Sequence, residues 1–131
     1  RKEWTPIHLI YQVFTRKDVM NFYKKAQLCL VTPLDDGMNL VSKEFVITAS
    51  SVEDPGMLVL SQFAGSAIDL TSALIINPYN VEEVAMAIKD GLEMKRAEKL
   101  RRMKSMAEAL EDKNIYAWTE DFVRAAIEAA K

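Results

Sequence analysis

The chain has 131 residues, 50% of them apolar and 27% charged, with a formal net charge of −2. That is one domain in size, long enough to bury a core and too evenly charged to offer a nucleic-acid surface. No apolar run approaches the roughly 20 residues of a membrane span, none reads as a signal peptide, and a single cysteine excludes an internal disulfide.

The opening, RKEWTPIHLIYQVF, is strand-like almost at once and reads as cut from something longer. Residues 7–13 are rich in β-branched and aromatic side chains and predict a strand. His8, the only histidine, falls on it. Without a partner at metal-ligand spacing it reads as a packed or edge residue, and no metal is expected. Thr15 offers an N-cap with Asp18 three residues on. Val19, Phe22, Tyr23 and Ala26 then form one helical stripe. Residues 28–32 predict a short strand buried on both faces of a parallel sheet. Cys29, inside it, reads as a buried structural thiol and fits a reducing, cytoplasmic setting.

A loop at 33–37 leads into a helix over 39–50. Asp54, Pro55 and Gly56 mark a turn, 57–61 a second buried strand, and 73–76 a further one. Between them AGSA (64–67) is either a plain turn or a backbone that approaches a ligand, and both readings stay open. Asn77, Pro78 and Tyr79 make a strand-to-helix corner. Asn80 caps the next helix with Glu83 at the capping-box position, and its stripe is Val81, Val84, Ala85, Ile88 and Leu92. Two helices in series follow. The first carries Leu100, Met103, Ala107 and Leu110; the second carries Ile115, Trp118, Phe122, Ala126 and Ala129, with a break near 112–114. The basic run KRAEKLRRMK (95–104) is a solvated helix face. Met86, Met103 and Met106 read as core or helix surface, and Trp4 and Trp118 as packing residues.

Strands alternating with helices predict an α/β fold: a Rossmann-like parallel sheet flanked by helices, with two extra C-terminal helices. The organisation is one domain, 1–131, whose segment 95–131 is helical.

The stretch LDDGMNLVSKEF (34–45) places acids at the mouth of a helix, at the carboxyl end of a strand. Open α/β sheets bind ligands there. A helix start offers unpaired amides and suits an anion. Gly37 would let a backbone come close to it, with Met38, Asn39, Leu40 and Val41 supplying amides. Glu44 lies about 7 Å along the axis from Asn39 and leans back toward the helix start, where a carboxylate suits hydroxyls. Asp36 could grip a second polyol. Capping is the simpler account of the same acids, and spacing alone does not decide.

Three segments go further. LVTPLDDGMNLVSKEF (30–45), DPGMLVLSQFAGSA (54–67) and LTSALIINPYNVEEVAMAI (70–88) resemble the C-terminal part of the trehalose-6-phosphate synthases. WTPI (4–7) and the region of Trp118 to Phe122 fit as well. The resemblance covers essentially the whole chain. It implies a retaining glycosyltransferase of the two-Rossmann-domain (GT-B) type, moving glucose from UDP-glucose to glucose 6-phosphate, and a nucleotide-sugar-binding role for this domain. It assigns Asp36 to the hydroxyls of the transferred glucose, as the catalytic-site acid. Gly37, Met38 and Asn39 would line the sugar, the amides of Leu40 and Val41 would meet the diphosphate, and Glu44 would bind the ribose. No protein nucleophile, cofactor or metal is implied.

The family often has Arg where this chain has Asp35, which removes a positive charge beside the diphosphate. The resemblance places most of the acceptor site, and the Arg and Lys that hold the donor phosphates, outside these residues. The 131 residues alone are therefore expected to be inactive. A glucosylglycerol-phosphate synthase, a non-catalytic regulatory subunit and a free-standing binding module are the alternatives. Met38 favours the trehalose reading, because the first alternative tends to have Leu there. Homo-oligomerisation stays open.

Overall fold

A computed structural model describes residues 4–112 and 115–129. The elements, in order, are α1 (Arg16–Lys25), β1 (Leu28–Val31), α2 (Leu40–Ala49), β2 (Met57–Ser61), a 3-10 helix (Gly65–Ile68), β3 (Leu74–Ile76), α3 (Val81–Glu93), α4 (Arg96–Asp112) and α5 (Ile115–Ala129). The caps read from sequence are present. Thr15 Oγ1 accepts the Asp18 amide at 3.2 Å and donates to the Asp18 carboxylate at 2.6 Å. Asn80 accepts the Glu83 amide at 3.2 Å. Glu83 itself turns back to Asn77, accepting that amide at 3.1 Å rather than the amide of its own cap.

The three strands are parallel, in the order β1-β2-β3, with Leu28 beside Met57 and Val59 beside Leu74. All five residues of β2 are buried, as a central strand covered on both faces requires. Side chains alternate across the sheet. Leu58 and Leu60 join Phe45, Val46 and Ala49 of α2 and Met103 and Met106 of α4. Val59 joins Ile76 and Ala87 on the other side. Helix α2 therefore lies on one face, with α1 and α4 packed on it, and α3 covers the other. Cys29 is half-buried, and burial pushes its thiol up to about 11, which leaves it protonated and inert at neutral pH.

Four expectations need correction. Residues 7–13 form no strand: Leu9 is 90% exposed and Tyr11 100%. A strand needs a ladder partner for its backbone, and no described strand runs beside this segment. His8 and Trp4 are accordingly exposed rather than packed.

Strand β1 is not buried on both faces, because it stands at the sheet edge and leaves Leu30 45% exposed. The stripe of α3 is rotated. Val81, Ala85 and Leu92 are exposed, and the buried residues are Ala87 and Gly91. Small residues let the helix approach the sheet: a Cβ on Gly91 would run into Leu28 Cδ1 and stand 3.3 Å from Leu74 Cδ1.

The stripe of α4 holds, with Met103 and Met106 buried and Leu100, Ala107 and Leu110 half-buried, while Met86 on α3 is surface. In α5 the described stripe residues Phe122, Ala126 and Ala129 are exposed. The side chains of Ile115 and Trp118, and residues 113 and 114 of the expected break, lie outside the described residues.

Candidate functional site

The loops leaving β1 and β2 touch each other at the carboxyl end of the sheet. Asp36 and Ala64 form a parallel bridge. The Asp36 amide donates to the Phe63 carbonyl at 3.2 Å, and the Gly65 amide donates to the Asp36 carbonyl at 2.8 Å. The glycine required by close approach is Gly65, whose Cβ would collide with the Gly37 carbonyl. A Cβ added to Gly37 would meet nothing within 4 Å, and its φ is ordinary, so the space above it is open.

Asp36 organises the start of α2. One carboxylate oxygen accepts the amides of Met38 at 3.1 Å and Asn39 at 3.0 Å, and the other accepts the Asn39 side-chain NH2 at 2.9 Å. The side-chain bond from Asn39 and the amide of Met38 together hold the Asp36 carboxyl below its usual range. Asn39 is the N-cap. It sits at φ 65°, the left-handed region, and accepts the Ser42 amide at 2.8 Å. Asn is among the few side chains that tolerate this conformation.

This network sorts the amides expected to meet an anion. Those of Met38 and Asn39 are taken by Asp36. Those of Leu40 and Val41, in the first turn, have no hydrogen-bond partner among the described residues, as helix geometry dictates. The Asp36 carboxylate has about four acceptor sites and uses three, which leaves room for one more donor on the oxygen that meets the Asn39 side chain.

Glu44 is exposed on α2, one turn past Leu40. It lines an open groove of 580 Å³ between α1 and α2, together with Phe14, Arg16, Tyr23 and Lys43. Its negative charge helps to raise the Tyr23 phenol, after burial and the nearby Cys29. Lys43 pairs with Asp69 at 3.5 Å. Asp35 is exposed. No group of three metal-ligating side chains exists among the described residues, and no described helix is long and apolar enough to cross a membrane.

Sequence reasoning missed the buried contact between α2 and the 3-10 helix. Ser42 Oγ lies 2.8 Å from Ser66 Oγ and donates to the Asn39 carbonyl at 2.9 Å. The run of small residues AGSA was the available signal.

A family model for glycosyltransferase family 20 matches residues 1–128. The trehalose-6-phosphate synthase of Enterobacter sp. (strain 638) is 47% identical over 121 residues, which is 92% of this chain and 25% of that protein. A solved trehalose-6-phosphate synthase, studied with bisubstrate glycomimetics for glycosyl transfer with retention, superposes with a TM-score of 0.87 at 43% identity, over 98% of this chain and 29% of its own. The UDP-forming α,α-trehalose-phosphate synthase of Burkholderia xenovorans, in complex with glucose-6-phosphate, gives 0.86 at 42% identity, over 93% of this chain and 27% of its own. The chain thus spans about a quarter of the length of the relatives it matches. On the match over residues 1–128, the chain belongs to glycosyltransferase family 20.

Proposed function

We propose that these 131 residues are the nucleotide-sugar-binding domain of a trehalose-6-phosphate synthase of the GT-B type. The whole enzyme would move glucose from UDP-glucose to glucose 6-phosphate with retention, in the cytoplasm, releasing trehalose 6-phosphate and UDP. The observation that carries the reading is the division of labour at the start of α2: a carboxylate with one acceptor site left beside two unpartnered amides.

On this reading Asp36 takes a hydroxyl of the transferred glucose, and Gly37, Met38 and Asn39 line the sugar. The amides of Leu40 and Val41 hold the diphosphate, and Glu44 takes the ribose. Charge builds on the diphosphate as the glucosyl bond breaks. Fixed amides at a helix start stabilise that charge without reorganising. The open space above Gly37 leaves a sugar room to lie against the backbone.

An NMR titration of the chain with UDP tests the assignment. The contacts are few, so affinity is expected to be no better than about millimolar, or about −4 kcal/mol. Shifts should centre on Leu40, Val41 and Glu44, and Glu44→Ala should weaken binding. Shifts clustered elsewhere, or equal binding by the variant, would remove the ribose assignment. The 131 residues alone should release no UDP from UDP-glucose and glucose 6-phosphate. Turnover in the usual enzyme range of roughly 1 to 10³ per second would contradict the division of the site between domains.

A further inference from the structure

We infer that Gly65 and Ser66 are positioning residues for the Asp36–Asn39 loop: they clamp it from the β2 side and so set where its carboxylate and the first-turn amides of α2 point. The inference rests on the donor-site reading of that loop and extends it to residues that touch no substrate.

Two independent contacts form the clamp. The first is backbone. Asp36 is bonded on both sides to the loop after β2, through its amide to Phe63 and through its carbonyl to Gly65. The approach is so close that a Gly65 Cβ would meet the Gly37 carbonyl and stand 3.1 Å from the Met38 nitrogen. Backbone atoms cannot swing aside as a side-chain end can, so any larger residue must push the loop away.

The second contact is a relay of hydroxyls. Ser42 and Ser66 are 0% and 1% exposed. Ser42 has one proton and gives it to the Asn39 carbonyl. Ser66 must therefore be the donor in the 2.8 Å contact between the two hydroxyls. The relay ends on Asn39, the residue that caps α2 and binds the Asp36 carboxylate. Removing the Ser66 hydroxyl leaves a buried acceptor on Ser42 without its donor, and the strain falls on Asn39. The lowered Asp36 carboxyl gives this arrangement a spectroscopic signature, because its main cause is the bond from Asn39.

The test is NMR on the 131-residue chain carrying Gly65→Ala, Ser66→Ala or, as a control, Ile76→Val, a core change on the opposite face of the sheet. The readouts are the Asp36 carboxyl titration, the Met38 and Asn39 amide shifts, and UDP titration. In Gly65→Ala the Asp36 midpoint should rise toward the ordinary value of 3.8, the two amide shifts should move, and UDP binding should weaken by about tenfold or more. Ser66→Ala adds no atoms and should shift the same signals in the same direction by less. It decides the matter if Gly65→Ala does not fold. The control should lower the melting temperature and leave all three readouts alone.

Folded variants whose Asp36 titration and amide shifts match the parent would overturn the clamp, as would a control that moves them equally. If the carboxyl and amide signals respond as expected but the parent chain binds no UDP, the clamp stands and the donor-site reading fails.

Discussion

Asn39 concentrates three tasks in one side chain. It tolerates φ 65°, caps α2 through Ser42, and holds Asp36. Asn39→Ala loses all three. A lost N-cap costs about 1 kcal/mol, and a Cβ residue in the left-handed region costs about 1–2 kcal/mol more. Asn39→Gly removes the strain and keeps much of the cap. Urea unfolding should therefore rank the parent above Asn39→Gly, and Asn39→Gly above Asn39→Ala. Equal variants would mean that φ at this site carries no cost.

Part of this is legible in the sequence, since an Asp that caps amides at the mouth of α2 is the simpler account its spacing offers; the left-handed φ of Asn39 is not. The caps at Thr15 and Asn80 are local, so sequence reveals them. The loop that ends on Asn39 also meets residues 63–66, a contact distant in sequence whose one trace is the run of small residues AGSA.

Acid is the second probe at this scale. Glu98 is bridged to Arg101 at 2.7 Å and to Arg102 at 2.7 Å, and these bonds lower its carboxyl from 4.5 to about 2. A depressed folded value means that the stabilisation is complete above the unfolded value and lost as pH falls through the folded one. The Glu98 share should therefore fade between about 4.5 and about 2, and Asp36 should act in the same direction. Glu98→Gln should flatten the acid limb of a stability-versus-pH curve. An unchanged limb would show that these exposed pairs contribute nothing measurable.

At the scale of elements, the sequence pattern found all five α-helices and placed Val84 and Ile88 of α3 on the buried side, but missed that the face is centred on Ala87 and Gly91. Counting large apolar residues favours Val81 and Leu92. The sheet instead accepts Ala87 and Gly91, because their small size brings the helix axis closer to Leu28 and Leu74. Close approach outweighs side-chain area here. Gly91→Ala gains up to about 1 kcal/mol in helix propensity but forces Leu28 to move, and overpacking costs about 1–3 kcal/mol. The single variant should lose stability, and with Leu28→Ala, which alone costs about 2–5 kcal/mol, the combined loss should be smaller than the sum of the two. A double-mutant cycle with no coupling would mean that the two side chains do not meet.

Residues 7–13 teach the opposite lesson. Their β propensity is plain in the sequence, yet propensity describes fitness for a half-buried pleated surface and cannot supply one.

The whole molecule leaves unusual amounts of apolar surface in water. Ile7, Leu9, Tyr11 and Val13 are between 80% and 100% exposed, and Val123 and Ile127 of α5 are about half exposed. The stripe expected on α5 is Ile115, Trp118, Phe122, Ala126 and Ala129, of which Phe122, Ala126 and Ala129 are described and exposed; Val123 and Ile127 are not part of it, and no spacing encodes a partner surface. Contiguous apolar patches of several hundred Å² tend to find another surface. The chain spans about a quarter of the length of the relatives it matches. A second copy is then the available partner. Light scattering over a concentration series should show the mean mass rising above that of a 14.8 kDa monomer. Hydrogen exchange on 115–129 should become more protected over the same range, since pairing would shield a helix that is otherwise open to solvent. Adding charge to the exposed apolar residues of α5, with Val123→Glu and Ile127→Glu together, should abolish both effects without lowering helix content. A chain that stays monomeric at every concentration, with α5 already well protected when dilute, would show that the helix is held by its own domain and that its apolar stripe is ordinary surface.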